Sequence, residues 1–247
     1  MSDRTNVVLG AASGMGAAVC ELLPQPLLRA DLRPGDDGIA CDVTSEADVA
    51  RLVEATGTLG ALVLTAGLSP AMAPGRTIWE VNLRGTARVL RLVEPILAEG
   101  SAAVCFASMA GHLFPPNPEW NAVLDEPESP TFFADLAAAG IDPDQPQLAY
   151  ALSKQAVIRL VRRRSQAWGR KGARLLSLSP GIIDTGMGRL EAEHEPAMAD
   201  MVRGSALGRM ARPEEVAAVA AFLVSDQASF LTGTDVLVDG GAVAAMP

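Results

Sequence analysis

Of lysine, histidine, cysteine and tyrosine this 247-residue chain has little: two, two, three and one. Each scarcity excludes something. The cysteines, Cys20, Cys41 and Cys105, are odd in number and show no CxxC spacing. They sit in apolar stretches and read as buried thiols of a reducing cytoplasm. The histidines, His112 and His194, are isolated and argue against a metal site. No apolar run approaches the ~20 residues of a membrane span. The opening MSDRTNVVLG lacks the basic start and long apolar core of a secretory leader. A cationic surplus is missing too. The formal net charge of −9 argues against nucleic acid as the main partner. The one basic run, RLVRRRSQAWGRKGAR, reads as a solvated helix face.

What is present is apolar and periodic. Apolar residues make up 49% of the chain, enough for a large core, and the length fits one α/β domain over 1–247. Short apolar runs alternate with helical periodicity. Asn6 to Leu9, LLRADL, GIAC, ALVLTAG, AAVCFAS, RLLSLSPG and TDVLVDGG read as strands. Helices are expected after the glycine-rich turn, through Val19, Leu22 and Leu23 until Pro24 and Pro26, and over SEADVARLVEA with Ser45 and Asp48 spaced as a capping box. A long helix is expected over TIWEVNLRGTARVLRLVEPILAEG, stopped by Gly100. Two more run from about Tyr150 to Trp168 and over RPEEVAAVAAFLVS, with Pro213 in the first turn. This alternation predicts a doubly wound, mostly parallel sheet of about seven strands with helices on both faces. The link from Asp31 to Gly38 is too short for a crossover helix and reads as a bare loop. Residues 111–148 carry seven prolines and form an inserted segment, with TFFADLAAAG as a candidate short helix.

Three constellations bear on chemistry. GAASGMG places glycines at 10, 14 and 16 between a strand and a helix. Such a turn lets backbone N–H groups approach a pyrophosphate, although it also serves plain strand-to-helix packing. Asp31 ends the next strand, where a carboxylate accepts ribose hydroxyls and repels a 2′-phosphate. That favours NAD over NADP. Arg29 and Arg33 nearby pull the other way. The third is the single tyrosine, Tyr150, with Lys154 four residues on and on the same helix face. An ammonium beside a phenol favours the phenolate and suits proton transfer. A pair at this spacing also arises by chance.

GAASGMG, CDV, TAG, VNLRG, ASMAG, YALSK and PGIIDT follow one another in an order that resembles the short-chain dehydrogenase/reductase family. LTGTDVLVDGG is similar to its last strand, so the likeness covers nearly the whole chain. The resemblance implies a Rossmann-like fold and a catalytic tetrad of Asn82, Ser108, Tyr150 and Lys154. It places Gly10, Ser13, Gly14, Met15 and Gly16 around the pyrophosphate, Asp31 on the adenosine ribose, and Asp42 and Val43 beside the adenine. Ala66 and Gly67 would line the cofactor, Tyr150 and Lys154 would also touch it, and Pro180, Gly181, Ile183 and Thr185 would hold its nicotinamide end. It also implies a local irregularity at Asn82 that supports a water leading to Lys154.

There are departures from the family pattern. Leu9 stands where the family often has Thr, and Thr65 where it often has Asn. From Ser108 to Tyr150 there are 41 intervening residues, longer than the usual spacing. That insertion, the short Asp31–Gly38 link and the text around YALSK resemble the bacterial 3α-hydroxysteroid dehydrogenase/carbonyl reductase group. Phe114, Trp120, Phe132 and Phe133 gather in the insertion, as an apolar substrate wall or a subunit contact. Met187 and Leu190 are candidates for a facing lid. The expected activity is NAD-dependent interconversion of a secondary alcohol and a ketone on a small apolar molecule, such as a steroid or another bulky carbonyl compound. The expected assembly is a homo-oligomer, dimer or tetramer, since an insertion before Tyr150 would block one of the family's usual contacts. The alternatives are a catalytically silent NAD-binding sensor and a nucleotide-sugar epimerase or dehydratase. The first has no need of the tetrad, and the second carries a longer C-terminal region than the one after Thr185.

Overall fold

Apolar alternation becomes seven strands: β1 (Arg4–Leu9), β2 (Leu27–Asp31), β3 (Ile39–Ala40), β4 (Thr58–Leu64), β5 (Leu97–Phe106), β6 (Arg174–Pro180) and β7 (Asp235–Val238). The computed structural model describes residues 4–194 and 197–246. The expectations that rest on residues 1–3 and on the His194 side chain lie outside the described residues. All neighbouring strands pair in parallel, in the order β3-β2-β1-β4-β5-β6-β7. Successive side chains point to opposite faces. Val7, Leu9, Leu62, Leu64, Ala103 and Cys105 therefore meet α2 (Glu46–Thr56), α4 (Thr86–Val93) and α7 (Pro146–Gly169) on one side. Val8, Val63, Val104, Leu176 and Leu178 meet α1 (Gly14–Cys20) and α10 (Pro213–Val224) on the other. This is the doubly wound sheet that the sequence predicts. Strand order reverses between β1 and β4, so a crevice opens beyond their carboxyl ends.

Most elements fall where expected. Ser45 caps α2 by accepting from the Asp48 N–H, and Pro213 opens α10. The link from β2 to β3 holds no helix. Two expectations need correction. Helix α1 ends at Cys20, and Leu22 is half exposed rather than packed. The long helix ending at Gly100 is really α3 (Gly75–Trp79), a π-helical turn over Glu80–Gly85, α4, and a 3₁₀ turn over Glu94–Ile96. Strand β5 begins at Leu97, and Gly100 lies inside it at φ +84°, near an irregularity in its pairing with β4. Pro95 lacks the N–H that would continue the ladder, so the helix stops earlier than the glycine suggests.

The insertion folds as α5 (Pro118–Leu124) and α6 (Phe132–Ala138). Only the second was expected; Asn117, whose side chain accepts from the Glu119 and Trp120 N–H groups, caps the first. Arginines of the main body clamp the segment. Arg159 is bidentate to Asp125, Arg91 bonds Glu128, and Arg84 donates to the Pro127 and Ser129 carbonyls. Phe132 is buried edge-on to Trp79 of α3, with ring centroids 5.7 Å apart, and Arg76 and Arg84 lie over Phe133. Phe132 is a core residue, and Phe133 is partly buried and packed against that core. Phe114 and Trp120 pair edge to face in the Pro-rich stretch.

Removing the Phe132 ring leaves a cavity against Trp79. Phe132→Ala should cost about 3–5 kcal/mol of stability, read as a fall in the urea midpoint of unfolding.

Candidate active site

The turn after β1 is set by contacts too tight for side chains. Gly10 and Gly14 have φ of +98° and +54°. A Cβ on Gly16 would stand 2.0 Å from the Gly10 carbonyl oxygen and 2.6 Å from Thr65 Oγ1. Thr65 Oγ1 donates to the Gly10 carbonyl at 3.0 Å, while Leu9 is buried. The hydroxyl that this turn requires is thus supplied from the end of β4. Ser13 caps α1 in an extended conformation and spends no side-chain bond on the cap. Met15 packs against the core on the α10 side, so it offers the turn only its backbone.

Around this turn the carboxyl ends of the strands bring the other expected residues. Asp31 accepts from the Ala12 N–H and the Arg33 N–H, both at 3.0 Å. Asp42 accepts from Thr44 within its own turn, and buried Val43 packs on Gly85 while Arg88 holds its carbonyl. The Ala66 N–H bonds the Leu9 carbonyl, which draws Ala66 and Gly67 in beside the turn. After β6, Pro180 and Ile183 are buried, and Gly181 lies so close to Asp239 that a Cβ would meet its Cα at 2.6 Å. The Ile183 side chain packs into the core, which leaves its backbone to face the crevice. Thr185 accepts from the Gly188 N–H and faces Gly14, closing the crevice from the opposite side. The crevice is therefore a backbone-lined cradle in which side chains at positions 10 and 16 would clash. That fits a dinucleotide pyrophosphate.

The four residues of the expected tetrad converge beside it. Asn82 sits in the π-helical turn, the local irregularity that the resemblance implies. Its amide bonds both the N–H and the carbonyl of Leu68, at 2.8 and 2.9 Å. Lys154 is 5% exposed, donates to the Phe106 carbonyl at 2.8 Å, and lies 5.9 Å from the centre of the Tyr150 ring. A Cβ on Gly67 would fall 3.3 Å from Asn82 Oδ1 and 3.4 Å from Lys154 Nζ, so the ammonium borders the crevice. Ser108 hydrogen-bonds the Tyr150 phenol. Gly111 seats the Ser108 turn on α7, since a Cβ there would meet backbone atoms of Lys154 and Gln155 at 2.9 Å. Tyr150 keeps some exposure as a residue while its phenol feels a strongly desolvating surround.

Electrostatics departs from the sequence expectation. Burial, rather than the Lys154 ammonium, dominates the Tyr150 phenol here. Burial pushes the phenol up, the charge of Glu191 adds to that, and the bond from Ser108 opposes it. Burial likewise pulls Lys154 down to about 8, with Cys105 and Glu191 working against it. The low-dielectric setting disfavours both charged forms more than their proximity favours them.

Comparison with known proteins agrees with this arrangement. A family model described as enoyl-(acyl carrier protein) reductase matches residues 135–243. A short-chain dehydrogenase/reductase of Alternaria brassicicola is 32% identical over 99% of this chain and 97% of its own length. The chain belongs to the short-chain dehydrogenase/reductase family. A 3-alpha-hydroxysteroid dehydrogenase/carbonyl reductase of Comamonas testosteroni is 34% identical over 97% of this chain and 96% of that one. The crystal structure of a 3-alpha-hydroxysteroid dehydrogenase from Pseudomonas sp. B-0831, complexed with NADH, superposes with a TM-score of 0.81 at 29% identity, covering 97% of each chain.

Within this short-chain dehydrogenase/reductase, sequence reasoning noted Thr65 as a departure and missed two contributors. Ser69 lies fully buried beyond Gly67, and Glu191 bears on both Tyr150 and Lys154. Only Glu191 left a readable signal: with Met187 and Leu190 it has the i, i+3, i+4 spacing of one helix face.

The folded chain releases the Lys154 proton near pH 8, the unfolded chain only near 10.5. Between these values the unfolded state binds more protons, so stability rises with pH. Relative to Lys154→Met, the native protein should gain up to about 3 kcal/mol across that window, read by urea unfolding at each pH.

Proposed function

We propose that this protein is an NAD(H)-dependent oxidoreductase that interconverts a secondary alcohol and a ketone on a bulky, largely apolar molecule. The observation that carries the reading is the convergence of Ser108, Tyr150 and Lys154 beside a glycine cradle built for a pyrophosphate. Gly10, Ser13, Gly14, Met15 and Gly16 would hold the pyrophosphate through the backbone, and Asp31 the adenosine ribose. Asp42 and Val43 would flank the adenine. Ala66, Gly67 and the segment from Pro180 to Thr185 would border the nicotinamide half. The bound cofactor supplies the hydride or accepts it.

The chain's own residues move the proton. Ser108 holds the substrate oxygen next to the phenol. Tyr150 Oη gives that oxygen a proton in reduction and takes it back in oxidation. The bond from Ser108 favours the phenolate, and Lys154 offers donors both to the Phe106 carbonyl and to ribose hydroxyls. Asn82 fixes Leu68 and the backbone beside Lys154, where a water can relay the proton outward. A silent sensor would have no use for this enclosed pair.

Several features support NAD over NADP. Arg29 is engaged by Glu21 at 3.3 Å. The cavity beyond Asp31, about 390 Å³, is lined by the carboxylates of Glu21, Asp31, Asp36 and Asp37. A 2′-phosphate there would meet a surplus of negative charge. The apolar substrate rests on Met187 and Leu190, turned partly inward on the helix after Thr185, and on the hydroxysteroid dehydrogenases among the relatives. A homo-oligomer, dimer or tetramer, is supported by Phe222, Phe230, Leu231 and Leu237, large apolar residues left exposed on α10, on β7 and between them. Three buried free thiols suit the reducing cytoplasm.

Tyr150→Phe should abolish turnover of a ketone panel with NADH while NADH binding, read by fluorescence titration, persists. Retained turnover would remove Tyr150 as the proton donor. Asp31→Ser should shift the ratio of kcat/KM for NADH and NADPH toward NADPH by about tenfold or more. A native enzyme that already prefers NADPH would overturn the NAD assignment.

A further inference from the structure

Beyond Thr185 the chain enters α8 (Gly186–His194). Met187, Gly188, Leu190 and Glu191 share one face of this helix and are the less exposed positions, while Gly186, Arg189 and Glu193 are exposed. Three of the four inward positions are apolar or small. Glu191 is the exception, a half-buried carboxylate on the helix that follows Thr185, which itself packs on Gly14 of the cradle. It stands opposite Ser69, and its charge reaches both Tyr150 and Lys154.

Ser69 supplies an independent observation. It is fully buried, and no group meets its Oγ in good hydrogen-bond geometry. It follows Leu68, the residue that Asn82 grips, so its position is fixed by the same contact that frames the site. A buried hydroxyl left without a partner is costly, and the bond it gives the Glu191 carboxyl, though off ideal geometry, favours the carboxylate. Here it lies beside an inward carboxylate, and the two make a polar spot next to the reacting groups in an otherwise apolar lid.

Charge decides what such a spot does. Lys154 alone would make the crevice attractive to anions. Burial pushes the Glu191 carboxyl up, while the bond from Ser69 and the charge of Lys154 favour its ionised form. Ionised, it opposes that attraction, and a second anion placed beside it in a partly desolvated cleft is repelled. A neutral substrate hydroxyl finds an acceptor instead. We propose that Glu191, backed by Ser69, determines specificity in this enzyme: it excludes carboxylate-bearing substrates and accepts a hydrogen bond from a hydroxyl of an uncharged carbonyl substrate. This rests on the oxidoreductase reading above and narrows its substrate class.

The test compares the native enzyme with Glu191→Gln and Glu191→Asp. Reduction of cyclohexanone, 4-hydroxycyclohexanone and 4-oxocyclohexanecarboxylate by NADH is read as ratios of kcat/KM. Glu191→Gln should raise the carboxylate-to-parent ratio by about tenfold or more and lower the hydroxyl-to-parent ratio. Glu191→Asp, which keeps the charge, should still exclude the carboxylate. Unchanged ratios in Glu191→Gln, or equal loss of exclusion in both variants, overturn the inference. Calorimetric titration with cyclohexanecarboxylate and cyclohexanecarboxamide needs no turnover. Glu191→Gln should gain affinity for the carboxylate alone, and no gain overturns the proposal. Failure of the native enzyme to reduce any ketone would sink the oxidoreductase reading, while this titration would still judge the charge selection.

Discussion

A buried ammonium organises this molecule. Lys154 is almost fully enclosed, and the Phe106 carbonyl at the end of β5 is the acceptor that holds it. Burying a cation costs several kcal/mol even after relaxation, so the surroundings have to be arranged to tolerate it. The end of β5, the π-helical turn around Asn82 and the long helix α7 all come to this point. Gly111 allows the Ser108 turn to lie against the α7 backbone, which fixes the serine relative to the phenol. The chemistry and the packing use the same few contacts. Natural proteins commonly give up stability at such places.

The sheet was legible because its code is simple. Each strand is short, apolar and bounded by turn residues, and parallel strands buried on both faces read that way. The glycine turn and the tyrosine–lysine pair were legible because each has a fixed spacing. The π-helical turn was not. Its residues, EVNLRG, carry ordinary helical periodicity, and the extra residue per turn appears only in the backbone hydrogen bonds. The start of β5 was misread because Gly100 looks like a helix stop, whereas its positive φ serves an irregularity inside the strand.

Electrostatics was the least legible part. Spacing places Lys154 beside Tyr150 but does not reveal how deeply both are enclosed. Burial then decides the direction in which each titrates. The insertion teaches the same lesson about packing. Four aromatics in a Pro-rich stretch announce that something apolar is covered. Only tertiary contacts reveal that Phe132 meets Trp79, and that arginines of α4 and α7 bind the acidic residues between α5 and α6. Asn117 and Pro118 were a readable helix start, hidden by the prolines around them.

The glycine turn carries one more consequence. Thr65 Oγ1, the Gly10 carbonyl and the bare α-carbon of Gly16 occupy a single small volume, with Leu9 filling the space behind. Positions 10, 16 and 65 are therefore not independent. A group larger than the Thr65 hydroxyl would press on Gly10 and Gly16 together, so a change at any one of the three is felt by the other two.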